Sequence, residues 1–204
     1  MKKAVFNDAF GQTEGVISGR ISQYRRPVPD DGVKKLNYIF KTQDVLGADG
    51  RIKALPNNYD KFVKRYTQWK VGDVMAVEQS YKSVWQMFNS DDYKSLCECK
   101  PGWRTKYMAK AEFLPYVITI NELRLERLRD MTCADALRCG VVMAGDTGEY
   151  TNAGLDPETF KTAEEAYIAA FFKERGLQWG DNPWCWVYEF NLSLNEEIAD
   201  LLCR

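Results

Sequence analysis

The chain has 204 residues, 28 Lys and Arg against 29 Asp and Glu, and no histidine; 45% of it is hydrophobic and 13% aromatic. Length and composition fit one globular domain with a sizeable core and exclude a disordered, collagenous or small disulfide-stapled chain. With no imidazole, Ser-His-Asp and Cys-His catalysis, HExxH zinc sites and His-containing iron triads are excluded, and any chemistry falls to carboxylates, Lys, Tyr, Ser, Thr or Cys.

In chain order, the N-terminus places Asp8 before any apolar stretch, so it does not read as a signal peptide, and no apolar run approaches the roughly 20 residues of a membrane helix. The expectation is a cytoplasmic protein without membrane contact. Thr13 to Ser18 reads as a short helix closed by Gly19. Segments 28–60 and 143–161, rich in Gly, Asp, Asn and Pro, read as long loops or irregular insertions. Gly72-Asp73 reads as a turn before an apolar strand, with the Asp73 carboxylate bonding local backbone.

Tyr116 to Leu128 alternates through Ile118 and Ile120, then shifts phase at Asn121-Glu122, as a half-buried strand with a bend does. Thr132-Cys-Ala-Asp135 opens a short helix ending near Gly140. Thr162-Ala-Glu-Glu165 is a capping-box pattern for a helix that Gly176 stops. Trp184, Trp186, Tyr188 and Phe190 alternate along a second strand, and Ser193-Leu-Asn-Glu196 reads as the cap of a final helix through Leu202. Short helices among alternating strands, without regular βαβ order, indicate an α+β domain around a curved sheet or small barrel. No G-x-G-x-x-G or G-x-x-x-x-G-K-[ST] occurs, so no nucleotide cofactor, and no cofactor of any kind, is expected.

The six cysteines, Cys97, Cys99, Cys133, Cys139, Cys185 and Cys203, contain no Cys-x-x-Cys and read as reduced thiols. Charge is uneven: residues 1–110 carry 20 cations against 12 anions, residues 111–204 carry 8 against 17. Such asymmetry points towards phosphate-bearing partners if the cations share a surface. Glu122, Glu126, Asp130 and Asp135 lack a converging ligand pattern and read as a solvated surface, not a cation site.

Four segments, in order, resemble the ASCH-like members of the PUA-like superfamily, particularly a group often encoded in phages and prophages of gut bacteria. They are Gly15-Val-Ile-Ser-Gly-Arg-Ile-Ser-Gln-Tyr-Arg-Arg-Pro27, Trp69-Lys-Val-Gly-Asp-Val-Met-Ala-Val-Glu-Gln-Ser-Tyr81, Leu123 to Gly140, and Trp179-Gly-Asp-Asn-Pro-Trp-Cys-Trp-Val-Tyr-Glu-Phe190. The resemblance implies a single domain: a small, mostly antiparallel curved β-barrel with peripheral helices and loop insertions. It also implies binding of RNA, single-stranded nucleic acid or a modified nucleoside.

The candidate site joins Gly19, Arg20, Ser22, Arg25 and Arg26 with Gln79, Tyr81, Trp179, Asn182 and Trp184. Guanidinium forks suit phosphate oxygens, aromatic faces stack on bases, and an Asn amide both donates and accepts at a base edge.

Some ASCH-like proteins are similar to amidohydrolases that act on acylated cytidine with a Lys, a Thr and a Glu. Here the Lys position matches Ile21, the Thr positions match Ser22 and Tyr24, and the Glu matches Gln79. Ile carries no charge and Gln is no base, so recognition is favoured over catalysis. A one-residue slip would use Glu78, yet strand alternation keeps Glu78 and Gln79 from entering one pocket. Hydrolysis of a nucleoside-like amide is the alternative, and a phage assembly or host-interaction protein the third.

Overall fold

The computed structural model describes residues 1–54, 56–57, 59–154 and 157–202. Strands β1 (Lys2–Ala4), β3 (Val74–Val77), β4 (Tyr116–Arg127), β7 (Trp184–Leu194) and β2 (Gln23–Pro27) form a five-stranded sheet in that order. β1 runs parallel to β3, with Lys2 opposite Met75; β3 is antiparallel to β4, and β2 to β7, with Arg26 opposite Trp186. Strands β5 (Val142–Met143) and β6 (Tyr150–Thr151) make a separate antiparallel pair that, apart from Val142, lies inside the segment expected to be irregular.

This corrects the expected barrel. The sheet is mixed, and the described strands form no closed barrel. Alternation marks a strand and its inner face but not its partner, and a three-residue strand such as β1 is too short to show a period at all.

The chain folds into two compact units. Unit 1 comprises Met1–Ser22, Gly72–Asn121 and Phe190–Arg204, and unit 2 comprises Gln23–Val71 and Glu122–Glu189. The chain changes unit within β4 at the Asn121-Glu122 phase shift, where two consecutive residues are exposed.

In unit 1, α1 (Gln12–Ile17), α4 (Tyr81–Phe88), α5 (Asp91–Cys97) and α8 (Glu196–Leu202) accompany the strands. The core gathers Ala76, Tyr81, Tyr93, Leu114, Val117 and Ile198. Gly102 is required there, since a Cβ would stand 2.5 Å from both the Ala109 backbone and the Tyr81 ring. The last helix starts later than expected: Ser193 lies in β7, and Asn195 Oδ1 accepts the Glu197 N–H at 3.3 Å.

In unit 2, α7 (Ala163–Arg175) starts and stops where expected, with the Thr162 half of the expected capping box. The Thr162 hydroxyl accepts the Glu165 N–H at 3.2 Å, and Gly176 closes the helix at φ +66°. The helix α6 (Cys133–Arg138) carries a full capping box between Thr132 and Asp135. Phe171, Phe172, Leu128, Ala136 and Cys185 pack as one cluster. Residues 28–60, expected to be loop, hold α2 (Asp30–Thr42), and α3 (Tyr59–Tyr66) follows. Leu36 and Ile39 sit on the buried face of α2, Asp30 and Asp31 favour its N-terminal dipole, and Gly32 breaks the visible pattern because Val28 packs 2.7 Å from where its Cβ would be.

Cys97, Cys139 and Cys185 are buried, Cys99 and Cys133 exposed, and all five are free; Cys203 lies outside the described residues. Burial pushes the thiols of Cys139 and Cys185 up to about 11 and about 12, so neither is a thiolate near neutral pH. No helix among the described residues is long and apolar enough to cross a membrane.

Candidate functional site

The residues expected to form one site divide between the units. In unit 2 the pleat of β2 turns Gln23 and Arg25 inward and Arg26 outward. Arg25 is 0% exposed. It pairs with Glu126 and lies 3.5 Å from Asp135, while its Nε donates to Gln23 Oε1 at 3.2 Å. Arg124 adds contacts to Glu126 and Asp135 at 3.0 and 2.9 Å, and Arg138 reaches Asp135 at 3.1 Å. Burial opposes the Asp135 charge, but hydrogen bonds from Gln23 and Thr132 and the Arg25 charge outweigh it and hold the carboxyl well below its ordinary range. Glu126 and Asp135 therefore belong to a partly buried ion network around Arg25, not to the solvated surface expected of them.

Trp184 is buried with its ring 5.2 Å from Phe40, so it offers no stacking face. Trp179 is 52% exposed and lies against the Arg129 guanidinium. Asn182 is engaged locally: its Oδ1 accepts the Arg129 N–H at 3.0 Å and its carbonyl accepts Arg127 Nη1 at 2.8 Å. Trp179 and Asn182 thus share one tied turn, whereas Arg26 lines a different groove, with Arg65 and Arg175.

In unit 1, Gly19 takes φ +75° after α1, Arg20 pairs with Glu14, and the Ser22 carbonyl accepts the Phe190 N–H at 3.0 Å. Tyr81 is a core residue whose Oη accepts the Lys110 N–H at 2.6 Å. Of these five expected residues, Gln79 alone lines the cleft that unit 1 contains.

That cleft holds about 660 Å³, with Asp8, Thr13, Glu78, Gln79, Ser80 and Lys106 among its lining residues. Strand β3 ends at Val77, so two-residue alternation no longer applies beyond it, and Glu78 and Gln79 both reach the cleft, against expectation. The Glu78 N–H still donates to Ala4 O at 3.0 Å, and Ser80 caps α4 by accepting the Ser83 N–H at 3.1 Å, which fixes the backbone on both sides. Lys3 Nζ donates to Glu78 Oε1 at 2.7 Å and to Tyr107 O at 2.8 Å.

Glu78 and Gln79 are only 3% and 5% exposed, and Glu78 Oε2 and Gln79 Oε1 are buried without a hydrogen-bond partner. An unpaired buried acceptor costs about 1–3 kcal/mol, so two on consecutive residues lining one cleft mark a place where donors belong. A second group lies in the same cleft. Thr13 Oγ1 donates to Asp8 Oδ1 at 2.5 Å, and Lys106 Nζ holds Asp8 Oδ2 at 2.8 Å.

No known protein family, curated protein or solved structure matches the chain. The site's own chemistry is therefore the guide. Among the described residues no group of His, Cys, Asp or Glu is placed to hold a metal ion. The cleft offers a carboxylate fixed on one oxygen, the amide oxygen of the next residue in the chain, and a hydroxyl bonded to a carboxylate that a lysine orients. Lys3, Asp8, Thr13 and Lys106 belong to no sequence motif. Lys3 and Glu78 are 75 residues apart and Asp8 and Lys106 are 98 apart, so no local pattern announces either pair.

Proposed function

We propose that the unit 1 cleft binds a small, nucleoside-like molecule through an edge that carries neighbouring N–H donors, as an amino-substituted base does. The observation that carries this reading is the pair of buried, unpartnered oxygens, Glu78 Oε2 and Gln79 Oε1. Lys3 occupies the other Glu78 oxygen, which leaves Oε2 as a directed acceptor. Tyr107, 72% exposed, and Met87 supply apolar surface in the same cleft against which a planar ring can rest. A small ligand also fits better than a polynucleotide gripped by the motif residues, because Arg25, Tyr81 and Trp184 have no surface to offer it.

A second reading, hydrolysis of an amide on such a ligand, is favoured by the Thr13–Asp8–Lys106 contacts. In that reaction Thr13 Oγ1 adds to the carbonyl carbon as its proton passes to Asp8. The C–N bond then breaks as that proton passes to the leaving amine, and water hydrolyses the resulting ester, its oxygen joining the carbonyl carbon with one hydrogen while its other proton restores the Thr13 hydroxyl. The Lys and Glu of the ASCH-like pattern are replaced in this reading by groups from elsewhere in the chain.

Titration of tryptophan fluorescence with guanosine, adenosine, cytidine and N4-acetylcytidine tests both. Saturable, salt-insensitive binding of at least one nucleoside is expected, weakened by about tenfold or more in Glu78→Gln. Absence of binding by the whole panel, or undiminished binding by Glu78→Gln, overturns the reading. Hydrolysis further requires release of acetate from N4-acetylcytidine, abolished in Thr13→Val while binding persists.

A further inference from the structure

The outward-facing arginine of β2 lines a groove of about 710 Å³ in unit 2. One wall is the strand exit, Arg26 to Pro29, with Asp30 and Asp31 at the start of α2; the other is Arg65 to Gln68 at the end of α3, together with Arg175 in the last turn of α7. Three arginines therefore line one concavity.

Their partners do not account for them. The side chains of Arg26 and Arg65 are exposed and form no ion pair or hydrogen bond among the described residues. Arg65 lies 5.5 Å from the centre of the Tyr66 ring, a cation–π contact that occupies none of its N–H groups in an ion pair. Arg175 is anchored: its Nη2 donates to Tyr24 Oη at 2.7 Å and lies 3.5 Å from Glu174, and Phe171 packs below it. Its Nε is buried without a partner. Asp30 and Asp31 line the groove without pairing with any of the three arginines, and they repel an anion from their side of it.

We propose that this groove is a phosphoryl-binding site, independent of the unit 1 cleft, in which Arg26 and Arg65 contact the anion and Arg175 presents a fixed positive charge. Guanidinium forks match phosphoryl oxygens in pairs, and a group with three or more terminal oxygens engages several forks where a carboxylate satisfies only one. The preferred ligand is a phosphate monoester or pyrophosphate. Because the groove is solvent-accessible, its binding weakens as salt rises.

The test is calorimetric titration of the full chain with inorganic pyrophosphate, in a buffer free of other multivalent anions, at two potassium chloride concentrations. One saturable, salt-sensitive site is expected, weakened by about tenfold or more in Arg26→Gln and in Arg65→Gln. Both side chains lack internal polar partners, so each variant should melt like the parent protein when pyrophosphate is absent. Lys64→Gln removes an exposed cation from the same helix outside the groove and should change affinity less than about twofold. Glu78→Gln should leave pyrophosphate binding intact, which separates this site from the cleft reading. Adenosine monophosphate should displace pyrophosphate and adenosine should not. Absence of saturable binding, equal losses in Lys64→Gln and Arg65→Gln, or displacement by adenosine overturns the proposal.

Discussion

Arg25 and Arg26 stand side by side on β2, and the pleat gives them opposite surroundings. Arg25 has Glu126 and Asp135 at ion-pair distance, although of its three nitrogens only Nε has hydrogen-bond geometry. Removing it leaves two carboxylates facing a cavity without their central cation. Arg25→Ala should therefore cost about 3–5 kcal/mol in urea unfolding, whereas Arg26→Ala should stay within about 0.5 kcal/mol.

The same network sets an acid limit. Glu189 joins it through Arg124 and through Arg138 at 3.3 Å. Burial opposes the Asp135 and Glu189 charges, but hydrogen bonds and nearby arginines prevail, so both fold with pKa values below their ordinary 3.8 and 4.5. A depressed folded-state value means the unfolded chain binds protons first. The contribution is complete above about pH 5 and is lost as pH falls through the folded-state values. Unfolding free energy measured from pH 7 down to pH 2 should thus decline below about pH 5, and Asp135→Asn should flatten that decline. An unchanged slope in the variant would remove Asp135 as its source.

Among the elements, two hydroxyl residues with the same sequence signature part company. Thr162 stands before an apolar helical run and accepts the Glu165 N–H, so its contribution is a real cap. Ser193 stands before a similar run but lies in β7, where strand pairing continues to Leu194, and the Asn195 side chain takes over at the start of α8. Thr162→Ala should lower stability by about 1 kcal/mol and Ser193→Ala by less than about 0.5 kcal/mol, compared in the same denaturant series. Helix α2 shows the converse error. Its apolar spacing is sound, but Pro29 and Gly32 at its start resemble loop punctuation, and only the close packing of Val28 explains the glycine.

For the whole molecule, β4 and β7 were legible because each repeats an apolar period over many residues, and α7 because its cap, face and stop lie within one short window. Their partners were not legible. The parallel edge strand β1 is three residues long, and the sheet order joins segments distant in sequence. The candidate site fared similarly. Gln79 was recognisable from its place after a Gly-Asp strand, and Arg26 from its neighbours, yet Gln79 lines a cleft with Glu78, and Arg26 lines a groove with Arg65 and Arg175.

By itself the sequence determined that imidazole chemistry is absent, that two long strands and a capped helix form, and that cations concentrate early in the chain. Each of these is a matter of composition or of contacts within a few residues. The tertiary structure alone decided which charges are buried, which stay open to a ligand, and which side chains share a cavity. Those outcomes depend on desolvation and pairing by residues as far apart as Asp8 and Lys106 or Gln23 and Asp135, whose meeting no local period encodes.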